Sequence, residues 1–239
     1  MTWFDHLFAL TLLVGLPAYA AWDVPRLARR VATDPSNART SDYLFTMTLQ
    51  WGLTLALVAS WIYAGRAFGD LGLVRPEGTD RWWTIVISAA AIAFFAWQAY
   101  SVARSPDAQA KVRTQLDSQP SVRVILPVNA SEAGVFGALA LTAGICEEIL
   151  YRGYMLHYMR AWWPGAAAIV AAIVIFGLAH AYQGGRGILL TGLAGAAAMG
   201  LYLFTGSLVA PMILHATVDL ANGFMAYRSL RTAGSLTPS

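Results

Sequence analysis

Uncharged apolar runs of bilayer length recur along this chain of 239 residues, and nothing else in it constrains the fold as strongly. Tyr43 to Gly65 lies between Asp42 and Arg66, and Trp82 to Ala103 lies between Arg81 and Arg104. At about 1.5 Å of rise per residue, each run is long enough as a helix to cross roughly 30 Å of hydrocarbon. With 57% hydrophobic residues and only 12% charged, the chain cannot clothe a globular surface in water. An all-α polytopic membrane protein is expected, multi-pass in the cell membrane, with the lipid bilayer as its solvent.

About seven transmembrane helices are predicted. The first, Leu7 to Trp22, ends in an Ala-Tyr-Ala-Ala stretch that looks like a signal-peptidase site, but no Lys or Arg precedes it, so it reads as a retained anchor. Trp61, Tyr63, Trp82, Trp83, Trp97 and Tyr100 sit at the ends of the next two, where aromatic side chains anchor at the interface. Residues 1–104 thus hold three spans and residues 105–132 form an extramembrane linker. Residues 133–228 form a C-terminal four-helix block, and 229–239 a polar tail. Within the block, Ala133 to Met159 is the fourth span, and a fifth runs from the Trp162-Trp163-Pro164 turn to about Tyr182. Two more are hinged at Thr205-Gly206-Ser207. Gly192, Ala196 and Gly200 recur every four residues, a small-residue stripe expected to let helices approach closely.

The net charge of +3 does not call for nucleic acid, because the basic residues are spread among the loops. Eleven of them fall on one side of the predicted topology and four, Arg66, Arg75, Arg81 and Arg160, on the other. The positive-inside rule then puts the N-terminus outside and the C-terminus in the cytoplasm. The single cysteine, Cys146, allows no internal disulfide and reads as a small packing residue.

The fourth span is unusual. It carries Glu147, Glu148 and Arg152, and ionisable groups at membrane depth mark functional sites by default. On a helix Glu148 and Arg152 are i and i+4 and lie one above the other, whereas Glu147 points away from the arginine. Arg152 therefore neutralises Glu148. Glu147 is left without a local counter-charge, and such a carboxylate in a low-dielectric site can act as a general base. The bland alternative is an ion network that only locks helices together. Histidines weigh against it: His180 follows Phe176 by four residues on the fifth helix, and His215 precedes Asp219 by four on the seventh. His6 and His157, near span ends, are expected in interfacial or packing roles.

Three motifs result: Glu147-Glu148-x-x-x-Arg152, Phe176-x-x-x-His180 and His215-x-x-x-Asp219. In this order, in consecutive apolar segments, they resemble the CPBP family of intramembrane glutamic proteases, the CAAX prenyl endopeptidase and bacteriocin-processing group also called the ABI family. The resemblance covers about residues 124 to 227. It implies an intramembrane endopeptidase without cofactor or metal, acting on a peptide or membrane-protein substrate. Glu147 and His180 would activate water, and His215 with Asp219 would stabilise the oxyanion, with Glu148, Arg152 and Phe176 in support. Many members have Asn where this chain has Asp219. Either Asp219 holds His215 as a charged imidazolium donor, or Asp219 is itself protonated, and Asn222, one turn on, is a further donor.

Other classes remain in view: a metal-dependent membrane peptidase, a proton-coupled transporter and a non-catalytic scaffold. Against the first stands the absence of a His-Glu-x-x-His helix signature, and against the second the lack of an internal repeat. The sequence names neither the substrate nor an oligomeric state.

Overall fold

The computed structural model describes residues 1–234. Among them the chain is helical almost throughout. The rods are α1 (Trp3–Thr33), α2 (Ala38–Tyr63), α3 (Gly78–Arg104), α4 (Pro106–Asp117), α5 (Pro120–Ile125), α6 (Ala130–Arg160), α7 (Gly165–Ala179), α8 (Ala181–Thr205) and α9 (Val209–Gly234). Helix is what hydrocarbon demands, since it satisfies backbone polar groups within the segment itself. Local chemistry sets the ends. Asn129 caps α6 by accepting from the Glu132 amide at 2.9 Å, and Ser105 caps α4 ahead of Pro106. A left-handed Gly206 closes α8.

Five of these rods, α1, α2, α3, α6 and α8, are long and apolar enough to cross a membrane. The protein is a multi-pass membrane protein, but seven spans are not borne out. Helix α7 is apolar yet only 15 residues long, about 22 Å at helical rise. Helix α9 has the length, with 26 residues, but includes Asp219, Arg228 and Arg231. The stretch expected as a linker is also structured: α4 packs on α9, and α5 packs on the second half of α1. Residues 229–234 of the expected tail continue α9, and the remainder of that tail lies outside the described residues.

The two halves of the chain share one core. Phe8 and Leu12 of α1 and Trp61 of α2 cluster with Tyr154 and Met155 of α6, Phe176 of α7 and Met199 of α8. Trp61 is therefore no interfacial anchor. It is fully buried, donates its indole N–H to the Ala67 carbonyl at 2.9 Å and stands edge-on to His157. Tyr63, Trp82, Trp83, Trp97 and Tyr100 are exposed, as anchors should be. The start of α1 is pinned by charge. Asp5, 1% exposed, accepts from both guanidinium nitrogens of Arg66 at 2.7 and 2.6 Å, and Tyr154 donates its hydroxyl to the Asp5 carbonyl.

Close approaches bring α6 against its neighbours. A Cβ on Gly144 would sit 2.8 Å from the Ala216 backbone nitrogen, so only glycine lets α6 and α9 touch there. The expected stripe on α8 is in place only in part. Gly192 does lie at a close approach, since a Cβ on Gly177 of α7 would be 3.4 Å from its Cα, but Gly200 faces open space, and the tightest fit is at Gly195, where a Cβ would meet Phe176 at 2.8 Å and Arg152 at 3.3 Å.

Candidate active site

Four helices converge on the charged segment of α6. That segment is locally widened, π-helical from Glu148 to Met155, a distortion that recurs at functional sites. Glu148 is fully buried, and its Oε1 lies 3.0 Å from Arg152 Nη1, the i,i+4 pair expected from spacing. The same oxygen is 2.7 Å from His215 Nδ1 on α9. Gly144 makes this possible, because it brings α9 against α6 one turn before Glu148. His215 Nε2 in turn lies 3.5 Å from Asp219 Oδ2, so each ring nitrogen faces a carboxylate.

Glu147 faces the other way. Its Oε2 is 3.9 Å from His180 Nε2, too long for a direct hydrogen bond. His180 Nδ1 is 3.0 Å from the Phe176 carbonyl. A carbonyl only accepts, so Nδ1 carries the proton and, in the neutral ring, Nε2 presents a lone pair to the carboxylate. Two acceptors then face each other across a gap that a water can close by donating to both. Glu147 and His180 come level because α7 stops short, with His180 immediately after its last residue.

Phe176 joins the two sides. Arg152 lies over its ring at 3.7 Å, a cation–π contact, and the His180 ring is 4.8 Å away. The perpendicular His215 ring is at 6.4 Å. The three motifs thus form one cluster, and of the residues singled out by sequence only Asn222 stands apart, exposed one turn beyond Asp219. Cys146 is buried and takes no part. Among the described residues no group of three or more His, Cys, Asp and Glu side chains is arranged to hold a metal ion.

The family described as type II CAAX prenyl endopeptidase Rce1-like matches residues 129–221, which contain all three motifs. The match covers less than half of the chain, and over that block the chain is similar to the Rce1-like family. No curated protein and no solved structure matches the chain. This likeness supports a membrane endopeptidase of the CAAX-protease type, and the matched block supplies every charged group of the cluster.

One contact comes from outside that block. Gln50 of α2 donates from Nε2 to Glu147 Oε1 at 2.8 Å. The only sequence signal for it is that Gln50 is the single amide side chain in the run Tyr43 to Gly65. Its partner depends on how α2 docks on α6, which spacing along one helix does not encode.

Proposed function

We propose that the protein is an intramembrane endopeptidase in which Glu147 and His180 activate water. Glu147 Oε2 takes a proton from a water held between it and His180 Nε2, and the hydroxide oxygen bonds to the scissile carbonyl carbon. His215 donates to the tetrahedral oxyanion. As the C–N bond breaks, the proton on Glu147 passes to the leaving amine. The observation that carries this reading is the 3.9 Å spacing of Glu147 Oε2 and His180 Nε2, with the imidazole oriented by the Phe176 carbonyl.

Charge counting supports the assignment of roles. With His215 as an imidazolium, it and Arg152 offset Glu148 and Asp219, and the one negative charge left over is Glu147, the base. The 3.5 Å contact to Asp219 is loose enough for Nε2–H to turn toward an oxyanion. The Rce1-like match makes a prenylated CAAX peptide the first substrate to test.

Purified protein is to be assayed on that peptide and on its unprenylated counterpart, as wild type and as Glu147→Ala and His180→Ala. Both variants are expected to lose turnover while keeping the wild-type thermal midpoint. Activity that survives exhaustive chelation separates this mechanism from a metal-dependent peptidase. Wild-type turnover by Glu147→Ala would end the assignment.

A further inference from the structure

The Glu147 carboxylate has two oxygens, and a general base needs one of them aimed at water and the other held. Within the site described above, Oε2 is buried with no protein hydrogen-bond partner and faces His180, while Oε1 is taken by Gln50. A carboxylate oxygen that only accepts requires a donor, so the amide of Gln50 is oriented with its nitrogen toward Glu147. The Gln50 oxygen is buried with no hydrogen-bond partner, so the amide is held by its bond to Glu147 and by the docking of α2, where the next residue, Trp51, donates its indole N–H to Thr142 Oγ1 of α6 at 3.3 Å. Nearer the start of α2, the Tyr43 hydroxyl donates to the Ile125 carbonyl at 2.5 Å, just before α6 begins. Helix α2 is thus fastened to α6 and its approach on either side of Gln50.

We infer that Gln50 is a positioning residue for the hydrolytic step, fixing Glu147 so that Oε2 alone is presented to water. The inference rests on the proposed role of Glu147, and it assigns a part in the reaction to a span outside residues 129–221. Without the amide donor the carboxylate is free to rotate and to present either oxygen, and the fraction of molecules poised for proton transfer falls. Substrate binding is untouched, because Gln50 acts through Glu147.

Two replacements separate this from packing. Gln50→Met keeps length and volume but removes the donor. Gln50→Asn keeps the amide on a shorter stem. On whichever peptide the wild type cleaves, Gln50→Met is expected to lower kcat about tenfold or more, the size of one lost hydrogen bond to a charged group, with KM within about twofold. Gln50→Asn is expected to retain more kcat than Gln50→Met, and both are expected to melt at the wild-type temperature. Wild-type kcat in Gln50→Met overturns the inference, as does a loss confined to KM or a collapse of folding in both variants. The control is Glu147→Ala: if it is inactive while Gln50→Met is fully active, only the role of Gln50 fails. An active Glu147→Ala removes the reading of the whole site.

Discussion

Two groups of shielded carboxylates, Asp5 at the start of α1 and the Glu147–Glu148 pair on α6, are held in opposite ways. Asp5 has both oxygens bound by one guanidinium in a fork, with the Thr2 backbone N–H added to Oδ2 at 2.6 Å. Around Glu147 and Glu148 the bonding is left unfinished: Oε2 of each glutamate is buried with no hydrogen-bond partner. A buried polar group left unsatisfied costs about 1–3 kcal/mol, so a fold that only needed a clamp on α6 would be better served by the Asp5 arrangement. The contrast sets a structural ion pair against the proposed site. Saturated charge holds helices, whereas unsaturated charge keeps hydrogen-bonding capacity for water and substrate.

The sharpest way to break this contrast is to delete one member of each group. Glu147→Ala is expected to reduce turnover on the order of 10³-fold, within the range for a lost general base, with no change in melting temperature. Arg66→Met should do the reverse. Leaving Asp5 buried and unpaired is expected to lower stability by about 3 kcal/mol, read from denaturant unfolding in detergent, while turnover per folded molecule stays at the wild-type value.

Glu148 lies between the extremes, since it touches both Arg152 and His215. Glu148→Ala leaves two cations facing each other and is expected to act mainly on stability, again by about 3 kcal/mol. A variant that melts normally yet is dead would move Glu148 to the catalytic side of the comparison. Gly144→Leu tests whether contact between helices sets the site. A side chain there forces α9 away from α6, and a loss of about 1–3 kcal/mol in stability is expected together with reduced kcat. Loss of stability at full kcat would mean that the Glu148–His215 contact is dispensable. The smallest effect is expected from Asp219→Asn, a fall in kcat of roughly tenfold or less, as the imidazolium loses one of its two carboxylates. A gain instead would favour Asp219 as a protonated donor.

The motif residues were legible in the sequence because each pair is written along one helix. Glu148 and Arg152 are four apart, as are Phe176 and His180, and His215 and Asp219, and that spacing alone aligns them. What joins one helix to another was not legible. The Glu148–His215 bond depends on Gly144 meeting Ala216, and the Gln50–Glu147 bond on how α2 docks. Hydropathy likewise found every long rod, but two of the helices that it counts as spans, α7 and α9, do not meet the length and apolarity of the other five. It cannot see that α7 ends at Ala179, nor separate a lipid-facing helix from α9, which packs extensively on α3 and α6. Trp61 was misread for the same reason: an aromatic near a helix end looks the same to the sequence whether it faces headgroups or a histidine.

The shortness of α7 also bears on the lipid around it. At about 22 Å it is roughly 8 Å shorter than an average hydrocarbon layer, so a bilayer that α7 crossed would have to thin beside it or admit solvent there. Hydrophobic mismatch of this kind is relieved where acyl chains are short. A membrane that thins easily would therefore suit this molecule, and thinning beside His180 would give a hydrophilic peptide a shallower descent to the proposed site.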